Sequence, residues 1–113
     1  MVTAETAVVL PVLLLVLAGA VAAVTVIGAQ LRCVDAAREG ARAAARGDDV
    51  ATVRALALRA APEGMAVSVA YDGQDVLVVV AGRLPLLGPV PLDVELSAEA
   101  VARLEPGVLG GGG

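Results

Sequence analysis

The chain has 113 residues, 58% of them apolar, with twelve acids against eight basic residues and a net charge of −4. All eight basic residues are Arg, the sole aromatic is Tyr71, the sole cysteine is Cys33, and there is no His. Without a polybasic tract or an aromatic platform the chain is not built to bind nucleic acid, and one Cys without His leaves no internal disulfide, zinc site or Cys/His nucleophile.

The first element is a long apolar helix. Between Glu5 and Arg32 lie 26 residues without a charge. As a helix they extend about 39 Å, more than the ~30 Å hydrocarbon core of a bilayer. The segment is apolar on every side, so it does not hide one face in a soluble core. A cleaved secretory signal would carry a basic flank and a shorter apolar run of ~7–15 residues, whereas the flank here is MVTAE. The expectation is therefore a retained single-pass membrane helix whose partner is the lipid bilayer. Pro11 lies within it, removes a backbone donor and is expected to kink the helix. Gly19 and Gly28, with Ala18, Ala22 and Ala29, leave flat places where another helix can approach.

Basic residues flank the span on one side only: none precedes it, and Arg32, Arg38, Arg42 and Arg46 follow it. Taken alone, this bias puts the C-terminal part in the cytoplasm. The stretch QLRCVDAAREGARAAAR extends the helix as a stem to about Arg46, because it is rich in strong helix formers. Asp35 and Glu39 stand three residues before Arg38 and Arg42, within pairing reach. Cys33 sits where the span meets water and reads as a small packing residue.

Gly47 ends the stem, and Asp48 or Asp49 can cap a second helix, VATVRALALRAA, that stops before Pro62. Val50, Val53, Leu56, Ala57 and Ala60 give this helix one apolar face. MAVSVAY and DVLVVVAGRL read as two strands around an Asp72-Gly73 turn. The second is apolar on both faces from Val76 to Ala81 and is expected at the centre of the sheet. PLLGPVP, with three prolines, reads as a stiff connection outside the sheet. Leu92, Val94 and Leu96 then alternate with Asp93, Glu95 and Ser97 as a half-buried strand. Past Ser97 the residues SAEAVARLE have a helix-forming composition behind a Ser N-cap.

The predicted fold class is α+β: a transmembrane and stem helix over 1–47, a small domain over 48–105 with a short helix and a three-stranded antiparallel sheet, and a flexible Gly-rich tail over 106–113. The soluble part is small enough that its core would be marginal on its own. Asp72, Asp75, Asp93, Glu95 and Glu99 are scattered over turns and an outer strand face. They have neither metal-loop spacing nor a phosphate-binding Gly loop beside them, so no cofactor or catalytic residue is expected.

Three segments, taken together, resemble the TadE family of minor pilins, of the type IV, tight-adherence (Tad) class. TAETAVVLPVLLLVLAG has the family's Glu, then Pro six positions later, then a long apolar helix, here Glu5 and Pro11. AAREGARAAARG, from Ala36 to Gly47, is similar to the family's stem motif, with Arg38, Glu39, Gly40, Ala41 and Arg42 on its core. LSAEAVARLE resembles the family's alternating terminal segment, which implies a strand continued to about Arg103 in place of the helix that its composition suggests. The resemblance implies a structural subunit and not an enzyme, with other pilin subunits and the pilus assembly machinery as partners. It also implies that a prepilin peptidase removes a leader after Gly, leaving Glu at the fifth mature position, the place that Glu5 holds here. It places the C-terminal domain outside the cytoplasm, with the chain in the cell membrane first and in a surface pilus after assembly. Glu5 would then pair with the α-amino group of a neighbouring subunit. As a residue of this sequence alone, it can equally cap the first helical turn.

Overall fold

The computed structural model describes residues 2–87 and 90–104; the tail expected at 106–113 lies outside them. Helix α1 runs from Val2 to Ala45, 44 residues with Pro11 inside, about 66 Å of rod. It dominates a molecule measuring 80 × 22 × 19 Å. Its end is fixed by backbone chemistry. Gly47 adopts φ +89°, its N–H donates to the Ala44 carbonyl at 3.0 Å, and the Asp48 N–H donates to the Ala43 carbonyl at 3.1 Å. This is the paired-bond ending that a left-handed glycine permits.

Helix α2, Val50–Ala60, follows at once. The Asp49 side chain accepts a hydrogen bond from the Thr52 N–H at 3.1 Å, which caps the helix and holds the Asp49 carboxyl below its ordinary value of 3.8. Val53 and Ala57 are buried, while Val50 remains 37% exposed at the helix start.

Strands β1 (Met65–Asp72), β2 (Asp75–Leu87) and β3 (Val90–Arg103) form one antiparallel sheet in the order β1-β2-β3. The fold is α+β, with the apolar β2 at the centre. β3 continues as a strand past Ser97, where Val79, Val78 and Val76 pair with Glu99, Ala100 and Ala102. Pairing decides for the strand there, because a helix would leave that edge of β2 unbonded.

Three expectations change. The first turn consists of Gly73 and Gln74, with Asp72 and Asp75 as the closing pair. Only the first of these two turn positions needs a positive φ, and Gly73 supplies it at +63°. Pro85 and Pro91 lie inside β2 and β3 and not in a connection between them. β1 ends opposite Gly82, so beyond that point β2 has a neighbour on one side only. There a proline whose nitrogen faces the open side removes no ladder bond. Leu92, expected to face inward, is 50% exposed, while Leu96 is buried and Val94 half-buried. Leu92 stands on the two-stranded extension past the end of β1.

Both helices pack on one face of the sheet, with α1 against β2 and β3 and α2 against β1. The core has no aromatic side chain; its largest fully buried members are Val53, Val76, Val78, Val80 and Cys33. Across the sheet, Val80 pairs with Ala98, Val78 with Ala100 and Val76 with Ala102. The alanines on β3 face a stem whose buried side chains are also small: Cys33, Ala36, Ala37, Ala41, Ala43 and Ala44. Small residues on both sides let the helix lie close to the strand. Gly40 marks the tightest approach on the stem, since a Cβ there would stand 2.9 Å from Val78 Cγ1 and 3.3 Å from Ala57 Cβ.

Gly40→Val should therefore lower the stability of the full chain in detergent micelles by roughly 1–3 kcal/mol, followed by thermal circular dichroism. Gly19→Val, where nothing stands within 4 Å, should leave the midpoint in place; equal effects at both positions would contradict the close approach. Asp49→Ala should also lower the midpoint at pH 7. The folded carboxyl titrates below 3.8, so its contribution is complete above that value and lost as pH falls through the lower folded value. The gap between parent and Asp49→Ala should close at acid pH, and a gap that persists there would rule out the carboxylate as its cause.

Candidate membrane and assembly surface

The chain's dominant surface is the bare part of α1. From Val8 to Leu17 every large apolar side chain is 50–73% exposed, and Val21, Val24, Ile27 and Leu31 continue the surface at 58–71%. One helix, spanning Thr3–Ala45, is long and apolar enough to cross a membrane. A monomer in water rarely exposes apolar patches beyond a few hundred Å², so this surface needs lipid or protein around it. The chain accordingly has the build of a single-pass membrane protein.

Glu5 lies in the first turn of α1, where its charge favours the helix dipole. It lines a shallow groove with Ala4, Val8 and Val9 and has no ion-pair partner among the described residues. Pro11 sits on the same bare rod, within a helix that is continuous on both sides of it. Arg38, Glu39 and Arg42 stand some 50 Å further along the axis. The singled-out residues thus mark two ends of a rod and do not assemble one site.

In the stem motif the charged and the small residues have separate tasks. Ala36, Ala37, Gly40, Ala41, Ala43 and Ala44 are buried against the domain, while Arg38 and Arg42 are exposed. Glu39 pairs with Arg42 at 3.7 Å as expected, across side chains that are 41% and 72% exposed. Such a pair contributes a few tenths of a kcal/mol at most. The expected Asp35–Arg38 pair does not form among the described residues; Arg46 instead reaches Asp48 Oδ2 at 3.2 Å. Arg38 and Arg42 border a groove with Ala41, Ala45, Ala100, Val101 and Ala102, so the positive stripe runs beside the open edge of β3. Cys33 is fully buried. Burial pushes its thiol up and the Arg32 guanidinium opposes this in part, which keeps the thiol protonated at neutral pH and unreactive.

Of the flat places expected on the span, Gly19 and Gly28 are open. Ala29 is covered by the domain, and Gln30 Nε2 ties this level of the helix to the Ser97 carbonyl at 2.9 Å. Two further basic residues mark the same region. Arg32 and Arg83 line one groove with Pro62, Glu63, Gly64, Leu84 and Pro85. Their sequence signal was available, since each bounds an uncharged run: Arg32 closes one and Arg83 opens the one from Leu84 to Leu92.

Comparison with known proteins adds three findings. The family model described as TadE-like protein matches residues 1–42, the bare rod and most of the stem. The protein named Apoptosis inhibitor Rv3655c, from Mycobacterium tuberculosis (strain ATCC 25618 / H37Rv), is 40% identical over 103 residues, covering 91% of this chain and 78% of that protein. No solved structure matches.

Proposed function

The chain belongs to the TadE-like protein family, and from that premise we propose that it is a structural minor pilin of a Tad-type pilus or a related secretion apparatus. It is held in the membrane by α1 before assembly and packed through the same helix afterwards. The observation that carries this reading is the apolar rod, uncovered by its own domain and bearing one acid at its start. A surface that lipid can cover can equally be covered by similar rods, so the subunit can leave the bilayer for a filament without exposing the rod to water.

In this reading Glu5 is the register device. Buried among packed rods, its carboxylate pairs with the α-amino group of an adjacent subunit. A subunit out of axial register leaves a charge unpaired in an apolar medium, and breaking a buried pair costs about 3–5 kcal/mol. Pro11 bends the rod near that end to fit its neighbours. A prepilin peptidase prepares the amino terminus, and the sheet domain lies outside the cytoplasm.

A second reading follows from the arginines. The four basic residues after the span favour a cytoplasmic domain, which suits a single-pass accessory protein that stays in the membrane and binds a partner through its domain. The two readings differ in what Glu5 does. Under the pilin reading Glu5→Ala inserts normally in the membrane but falls more than about tenfold in the sheared filament fraction, since 1.4 kcal/mol is already a factor of ten. Unchanged incorporation removes the proposed role of Glu5, and absence of the parent chain from filaments favours the accessory protein.

A further inference from the structure

We infer that the two-stranded extension of β2 and β3, from Leu84 to Leu86 and at Pro91 and Leu92, is a second membrane contact, seated at the boundary between headgroups and acyl chains beside the span. The first observation is chemical. From Leu84 to Leu92 the chain carries no charge, and the run is bracketed by Arg83 on one strand and by Asp93 and Glu95 on the other. Arg83 pairs with Glu95, Leu84 with Val94 and Pro85 with Asp93, so the last charge on β2 is Arg83 and the last on β3, Asp93, stands two residues further along.

The second observation is placement. Leu86 lines a groove together with Leu14, Leu17, Ala18, Val21, Ala22 and Thr25 of α1, which belong to the uncharged span. Arg83 shares its groove with Arg32, the residue that closes the span. From Arg32 back to Glu5 on the helix, and past Arg83 and Asp93 on the two strands, there is no further charge, and there Leu86 and the helix present apolar side chains side by side. Three residues of strand from Arg83 carry Leu86 about 10 Å past the level of the arginines. That depth matches the reach of interfacial segments into the boundary between headgroups and acyl chains.

The same geometry explains two features that a soluble hairpin would not need. Leu92 is 50% exposed although it lies within strand β3. Pro85 and Pro91 lie where the ribbon is two-stranded, and each removes a backbone donor that lipid could not satisfy if it faced outward. Acyl chains, and not a second copy of the chain, are the occupant, because Leu86 is continuous with the lipid-facing side of the span.

The test uses the full chain, with Cys33 replaced by Ala, reconstituted in vesicles of phosphatidylethanolamine and phosphatidylglycerol. An environment-sensitive fluorophore is placed in turn at Leu86→Cys, at Leu92→Cys on the other strand, and at Gln74→Cys at the far end of the sheet. The expected result is loss of most emission from Leu86→Cys and Leu92→Cys with lipids spin-labelled high in the acyl chain, and little loss with aqueous iodide. Gln74→Cys should show the reverse order. Iodide quenching at Leu86→Cys and Leu92→Cys as strong as at Gln74→Cys would overturn the inference. So would protection from both quenchers, which would mean that protein covers the extension. Two label positions on two strands keep the result readable if one substitution disturbs the hairpin.

Discussion

The structure depends on one constraint: a rod of uncharged side chains that its own domain is too small, and too far along the axis, to cover. The buried core packs against α1 from about Ala29 onward, where Cys33, Ala36, Ala37 and Gly40 turn inward. Before that point the helix is largely bare, with Leu86 of β2 alongside it. Each exposed Val, Leu or Ile contributes on the order of 1.5–3 kcal/mol when moved from water to an apolar surrounding, and more than a dozen such residues are exposed on α1. Electrostatics at the surface of the domain are minor beside this, because both described ion pairs are largely exposed.

The domain holds to the rod by closeness. Its side chains are mostly Ala and Val, which bury little area each, so stability has to come from dense contact between flat surfaces. Gly40 and the alanines of the stem meet the Ala98, Ala100 and Ala102 row of β3, and the buried valines of β2 fill the remaining depth. Gly82 has the same task within the sheet, where a Cβ would meet Gly64 O at 2.8 Å and Met65 Cα at 2.9 Å. The stem motif is thus two patterns in one stretch of helix. Its small residues build the domain interface, and its arginines lie outside on a positive stripe available to headgroups or acidic neighbours.

Much of this was legible in the residues, for reasons that can be named. Length and the absence of charge identified the span, Gly47 and the Asp48-Asp49 pair marked the end of one helix and the start of the next, and the two-sided apolarity of Val76–Ala81 put β2 at the centre. What escaped was tertiary. Three prolines in PLLGPVP argued against a sheet, but nothing local told that β1 stops at Met65 opposite Gly82 and leaves a two-stranded ribbon where proline is tolerated. The Asp35–Arg38 spacing permits a pair, yet exposed side chains gain too little from pairing for spacing to decide it. The importance of Gly40 was hidden because a glycine inside a helix-forming stretch looks like a mild flaw until the neighbouring sheet shows why no Cβ fits. Glu5 and Pro11 were found by resemblance and by their isolation in an apolar run, since neither touches the folded domain.

The central claim is that the opening rod must be solvated by lipid or by other rods. Its most direct test is the hydrodynamic state of the intact polypeptide in buffer with and without detergent, by sedimentation with light scattering, after mass spectrometry has shown the first 31 residues to be present. The account predicts a well-defined particle only when detergent or lipid is bound, and assembly or precipitation when it is withdrawn. A monodisperse, detergent-free monomer with those residues attached and accessible to protease would contradict it.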